Sequence, residues 1–210
     1  MPDAELVWGW VADQRRALAD SLALLPAAAW DRPSLCAGWR VRDAVGHLVF
    51  LAEGSRPSVT VDVLRQLRLP GEALSRIARR EGEAPPDELI ARLRAAAGGR
   101  FVVPSQPPQV SLGEVVVHGI DALRPVDGDE PVTPAYRLLP VAEAYRRIGP
   151  IFSLGRHSRK VRFVATDGDW AVGPIGGPVA RGAALEIVLA LAGRPEGVRN
   201  LAGPGADLLA

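Results

Sequence analysis

The stretch Ser111-Leu112-Gly113-Glu114-Val115-Val116-Val117-His118-Gly119-Ile120-Asp121 decides the fold. Ser111, Glu114, His118 and Asp121 fall at i, i+3, i+7 and i+10, one stripe along a helix. Leucine, valine and isoleucine flank the stripe on both sides, so the helix is expected to turn its carboxylate and imidazole toward the interior. A buried carboxylate without a partner is costly, and a metal ion is an effective partner. Glu114 and His118, four residues apart, point to the same place, and a histidine from a neighbouring helix would complete three ligands. Three protein ligands leave one position open for water or substrate, as in catalytic zinc. The bland alternatives stay open at this point. A single histidine on an apolar helix is more often a hydrogen-bonded core residue, and E-x-x-x-H on an exposed helix is usually a surface pair. Ser111 is the expected N-cap, with Glu114 completing a capping box, and the helix is expected from Leu112 to about Leu123.

Working outward, the segment from Val41 to about Arg56 places Val41, Ala44, Val45, Leu48, Leu51 and Ala52 on one side, with His47 among them. That predicts a second amphipathic helix closed by Pro57. Residues 4–25 show helical spacing and stop at Pro26. Trp30 to Ser34 is a loop. Residues 60–81 are weakly helical, broken by Pro70-Gly71. Pro85-Pro86-Asp87 starts another helix that ends at Gly98-Gly99, and the prolines of 104–110 mark a linker. Residues 135–148 are again amphipathic. Near residue 155 the texture changes. Val161 to Thr166 alternates as a strand, Asp167-Gly168-Asp169 is a turn, and Trp170 to Val172 is a second strand. Gly176-Gly177-Pro178 is another turn, Ala183 to Ala192 an apolar helix, and Val198 to Leu201 a last short strand. The expected division is a helical bundle over 1–154 and a small β-β-α-β unit over 155–210.

The chain has 210 residues, 48% of them apolar, and a formal net charge of +1. So small a charge argues against a nucleic-acid-binding surface. No stretch is long and apolar enough to span a bilayer. The first residues, Met1-Pro2-Asp3-Ala4-Glu5, lack the basic start and apolar stretch of a signal peptide, so a cytoplasmic protein is expected. Cys36 is the single cysteine and can form neither an internal disulfide nor an all-cysteine zinc site. It is read as a packed thiol without a catalytic part. Gly173, Gly176 and Gly177 do not match a phosphate-binding loop. His157, beside Arg156, Arg159 and Lys160, marks a basic, solvated linker. Arg181 and Arg194 are candidates for holding a substrate carboxylate, against the default of ordinary surface arginines.

The run Trp30-Asp31-Arg32-Pro33-Ser34-Leu35-Cys36-Ala37-Gly38-Trp39-Arg40-Val41-Arg42-Asp43-Ala44-Val45-Gly46-His47-Leu48 resembles the N-terminal signature of the mycothiol-dependent maleylpyruvate isomerase family of actinobacteria. Glu114 to Asp121 resembles that family's E-x-x-x-H-x-x-D motif. Val164 to Gly168 and Leu191 to Arg194 resemble its C-terminal domain. Leu35 stands where the family often has proline, and Gly119-Ile120 where it has a bulkier pair. The resemblance implies an α+β protein: an N-terminal DinB-like four-helix bundle followed by a small α/β C-terminal domain. It implies a divalent metal, zinc foremost, on His47, Glu114 and His118, with Asp121 orienting a ligand from behind. It implies mycothiol as the thiol cofactor.

The leading expectation is therefore a metal-dependent, mycothiol-dependent isomerase or S-transferase. A metal-activated thiolate would attack a small electrophilic substrate, and Arg194, with Arg181 behind it, would hold the substrate's carboxylate in a cleft between the domains. The rivals are a metal-dependent hydrolase that activates water and a non-catalytic bundle braced by its metal. The expected partners are the substrate and the low-molecular-weight thiol, with no nucleic acid and no membrane.

Overall fold

The computed structural model describes residues 2–54, 70–102, 106–148 and 156–209. Helix α1 (Ala4–Leu22) opens on Asp3, whose Oδ1 accepts the Leu6 N–H at 2.8 Å, satisfying one donor that the first turn leaves free. Helix α2 (Val41–Glu53) opens at Arg40, whose N–H donates to Asp43 Oδ2 at 2.8 Å. It ends at Gly54, short of the expected Arg56; Pro57 lies outside the described residues. Helix α3 (Pro70–Gly82) begins at the Pro70-Gly71 pair expected to break a helix. A proline is tolerated in the first turn, where its missing N–H would have had no helical partner. Residues 60–69 of that weakly helical stretch lie outside the described residues. Helix α4 (Pro86–Ala95) and helix α5 (Pro108–Leu123) also start on proline. For α5 this moves the start a turn ahead of the expected Leu112. Ser111 is therefore inside the helix and does not cap it: its hydroxyl donates to the Phe101 carbonyl at 3.1 Å.

Helices α1 and α2 each pack against both α4 and α5, which closes a ring of four. That is the expected four-helix bundle, with α3 laid against α2. Helix α5 is buried on nearly every side, as a helix apolar all round should be. Gly46 sets the distance between α2 and α3: a Cβ there would lie 2.5 Å from the Gly82 nitrogen. Arg92 on α4 ties three helices, with Nη2 2.9 Å from Glu53 of α2 and 2.8 Å from Glu81 of α3.

Arg15 of α1 is 1% exposed. Its Nη1 donates to the carbonyls of Ala97 at 3.0 Å and Gly99 at 2.7 Å, just past the end of α4. Burial lowers its pKa to about 10, which still leaves a cation at neutral pH. A cation at a helix C-terminus meets free carbonyls and the negative end of the helix dipole, so the charge is compensated without a carboxylate.

The chain divides into two compact units, Asp3–Pro131 and Val132–Ala210. The division falls earlier than the expected 154/155 boundary. Helix α6 (Ala135–Ile148) packs on helix α7 (Ala184–Leu191), and Trp170 Nε1 donates to the Ala135 carbonyl at 3.0 Å. Strand β1 (Arg162–Ala165) lies between β2 (Ala171–Val172), antiparallel, and β3 (Val179–Gly182), parallel. The expected β-β-α-β order is thus corrected. The third strand precedes α7, and the expected strand Val198–Leu201 falls on helix α8 (Pro195–Arg199) and the turn after it. Pro195 supplies the helix start there, and Ala202 makes only an isolated bridge to Arg181. Helix α9 (Pro204–Asp207) follows. Among the described residues no helix is long and apolar enough to cross a membrane.

Arg15→Met should remove the guanidinium donor to the Ala97 and Gly99 carbonyls while keeping most of the side-chain volume. The expected loss is about 2–3 kcal/mol of unfolding free energy, measured by chemical denaturation. A loss below about 0.5 kcal/mol would show that water replaces the guanidinium there.

Candidate metal centre

Helix α2 brings His47 to α5, which carries Glu114 and His118 one turn apart. Asp121 follows three residues later on the same face. Val45, Leu48 and Val49 around His47, and Val115 to Val117 and Ile120 around His118, are all at most 3% exposed. The apolar packing of the two helices therefore positions the polar groups. His47 Nε2 lies 3.3 Å from Glu114 Oε2, and His118 Nε2 lies 3.3 Å from the same oxygen. One ligand atom from each of the three residues falls within 4.8 Å of the others. The histidine side chains are 7% and 12% exposed, whereas Glu114 keeps 30%. The carboxylate is the solvent-reachable corner of the cluster.

His118 stands between two carboxylates. Its Nδ1 is 3.0 Å from Asp121 Oδ2, and Asp121 is fully buried. Burial alone would push the imidazole's pKa down, but Asp121 and Glu114 outweigh it and raise the value to about 9. Burial pushes Glu114 up in the same way, and the contacts with His118 and His47 reverse this, holding it well below the usual carboxylate range. Without a metal ion the contacts therefore favour the charged form of both the His118 imidazole and the Glu114 carboxylate.

The donor set fits a divalent metal. Two imidazole nitrogens and one carboxylate oxygen are the mixed ligands of open catalytic zinc sites. A buried carboxylate near the far nitrogen of a ligating imidazole fixes its tautomer and raises its basicity, and Asp121 Oδ2 lies 3.0 Å from His118 Nδ1. His47, Glu114 and His118 would hold the ion, and Asp121 would hold the His118 Nδ1 proton.

Arg194 donates from Nη1 to the Ala192 carbonyl at 2.9 Å, at the end of α7. Arg181 is exposed on β3, where its backbone pairs with Ala202. Both belong to the Val132–Ala210 unit. Cys36 is half-buried, and its sulfur lies within 4.8 Å of ligand atoms of His118 and Asp121, nearer the centre than a merely packed thiol. Trp39 was not singled out by spacing. Its indole stacks on the His118 ring, with centroids 5.6 Å apart and an angle of 22°, and meets the His47 ring at 5.2 Å. Trp39 and Cys36 sit in a turn, where no helical period announces which way a side chain points.

Residues 11–102 match the family model of the mycothiol maleylpyruvate isomerase N-terminal domain. These residues are thus similar to that domain, over less than half of the chain. The match contains Cys36, Trp39 and His47 and stops short of Glu114 and His118. Among solved structures, the mycothiol-dependent maleylpyruvate isomerase is similar at 15% identity and a TM-score of 0.61, covering 98% of this chain and 94% of that one. A point mutant of that isomerase is similar at 14% identity, with the same TM-score and coverage. At such identities the likeness is one of fold, and it spans both units of the present chain. No curated protein matches the sequence.

Because His118 must lose its proton to ligate, divalent-metal affinity should rise with pH up to about 9 and level off above it. Around neutral pH binding should release about one proton per ion, measured by calorimetry in buffers of different ionisation enthalpy. An affinity independent of pH between about 6 and 8 would place the displaced proton elsewhere.

Proposed function

We propose that this chain is a mycothiol-dependent metalloenzyme, an isomerase or S-transferase acting on a small electrophile, with zinc as its ion. The observation that carries the reading is the convergence of His47, Glu114 and His118 within 4.8 Å, from helices 67 residues apart in sequence. The family of residues 11–102 supports the choice of thiol. A bound zinc would lower the pKa of a coordinated thiol toward neutrality and leave it ready to attack.

The chain's own groups have distinct parts. Glu114 and the two histidines bind the ion, and Asp121 keeps the His118 Nδ1 proton in place so that Nε2 faces inward. The buried valines and leucines around the two histidines keep water from that side of the site, which strengthens the charge interactions there, while Glu114 stays reachable. In this reading the chain supplies no nucleophile. Two of its three histidines serve as ligands, which leaves no Ser-His-Asp set that includes them. The thiol comes from the cofactor and enters where the three-ligand set leaves a position open.

The purified protein should carry about one divalent ion per chain, and His118→Ala should remove most of it. Full occupancy in that variant would refute the ligand set. Cys36→Ser should keep both the metal and most of the turnover; complete loss of turnover with an intact fold would make Cys36 the nucleophile instead. The decisive assay offers maleylpyruvate and a panel of electrophiles with mycothiol present or omitted. Turnover is expected only with the thiol. Equal rates without it would refute the thiol mechanism in favour of water activation, and turnover of an electrophile other than maleylpyruvate would keep the mechanism and change the substrate.

A further inference from the structure

Trp39 touches both histidines of the centre. Its ring lies nearly flat on His118 and tilts by 56° against His47, while the two imidazoles stand at 74° to each other with centroids 4.8 Å apart. The backbone of Trp39 is fixed on both sides and its indole at one point. Trp39 N–H donates to the Cys36 carbonyl at 3.0 Å, and the Trp39 carbonyl accepts from the Ser34 N–H at 2.9 Å and its hydroxyl at 3.0 Å. The indole Nε1 donates to Ser75 Oγ of α3 at 3.3 Å. Gly38, at φ +77°, supplies the left-handed step that closes this turn. The turn is in turn tied to both ligand-bearing helices. Leu35 N–H donates to the Asp121 carbonyl of α5 at 3.0 Å, and the Arg42 N–H of α2 to the Trp30 carbonyl at 3.0 Å.

We infer that Trp39 is a positioning residue for the metal centre: its rigid face holds the His47 and His118 rings at the angle that turns both Nε2 atoms toward Glu114. The inference rests on the metal reading above. An imidazole swings about the bond that joins it to its Cβ, and the torsional well there is broad. A flat aromatic wall against the ring face removes that freedom before the ion arrives. Ligand groups gain affinity when the shell behind them is locked, and loss of such support costs about 10- to 100-fold in metal affinity. Apolar filling of the same space would not have this effect, because a flexible side chain does not oppose ring rotation.

The test compares Trp39→Phe, which keeps a flat face, with Trp39→Leu, which keeps only apolar bulk. Zinc affinity is measured by competition with a chelator, and the ligand field is read from the visible spectrum of the cobalt-loaded protein. Trp39→Phe should bind zinc within about threefold of the parent with the parent's cobalt spectrum. Trp39→Leu should bind about 10- to 100-fold more weakly with an altered spectrum. Equal losses in both variants, or no loss in either, would overturn the positioning role. Should Trp39→Leu fail to fold by circular dichroism, Trp39→Met, a flexible apolar filler, takes its place with the same expectations. His118→Ala in parallel separates the two levels of inference: if it too binds zinc normally, the metal reading fails rather than the part given to Trp39.

Discussion

Glu114 is the constraint on which the rest of the bundle depends. It is an ionised carboxylate on a helix otherwise almost wholly committed to the core. Such a group must be compensated on the spot, because removing an ion from water costs several kcal/mol even after relaxation. Two histidines meet the same oxygen at 3.3 Å, and one of them is braced by a second buried carboxylate. The bundle therefore needs α2 and α5 in one fixed register. A slip of one residue along either helix would rotate His47 or Glu114 away by about a quarter turn and strand a charge among valines. The polar cluster supplies register, while the apolar packing supplies most of the stability.

The scaffold around the centre repeats one device, an arginine placed where backbone or carboxylate oxygens would otherwise be left bare. Arg15 closes the end of α4, Arg92 links α4 to α2 and α3, and Arg40 joins Asp43 at 2.9 Å and Glu83 at 2.6 Å at the start of α2. In the second unit Arg146 spans the Ser158 and Val161 carbonyls, 3.0 Å from each. The planar guanidinium suits this work because its several donors are fixed in direction and stay charged when buried. A chain with a single lysine has built its cross-links from the one cation that tolerates the interior.

What was legible in the sequence follows from which physical signals are local. The stripe of Glu114, His118 and Asp121 is a helical period and His47 has apolar neighbours, but spacing alone leaves open whether they meet; it is the family resemblance that joins His47 to the pair. The start of α5 was misplaced because Ser111 and Glu114 fit a capping box by spacing, whereas Pro107-Pro108 had already set the helix. The strand Val179–Gly182 was hidden because four residues between a turn and a helix carry too little alternation to stand out. Val198–Leu201 reads as a strand on its apolar content, but Pro195 starts a helix there. Trp39 and Cys36 lie in a hydrogen-bonded turn whose side-chain directions are set by Gly38 and by contacts with α3 and α5, none of which is periodic. The division of the chain was misjudged for a related reason: α6 looks like one more bundle helix by pattern, and only its packing on α7 assigns it to the second unit.

The charge on the cluster also limits what it can hold. Glu114 and Asp121 bring two negative charges and protonated His118 one positive, which leaves an excess negative charge under an apolar roof. A divalent ion that displaces the His118 proton adds two charges and removes one, and so cancels that excess. A monovalent ion would only replace the proton's charge and gain nothing electrostatically. A trivalent ion would leave a buried positive charge and require an anion to accompany it. Once neutral, the centre can accept one anionic ligand at a cost of a single net charge, partly relieved by the solvent exposure that Glu114 retains. In the proposed reading a deprotonated thiol on a small molecule would meet that requirement, because its charge sits on one atom and its hydrated remainder can stay outside. The same balance explains why Asp121 is kept buried behind His118 rather than at the ligand face. In the proposed reading it would there raise the imidazole's basicity without occupying the position that a fourth ligand needs.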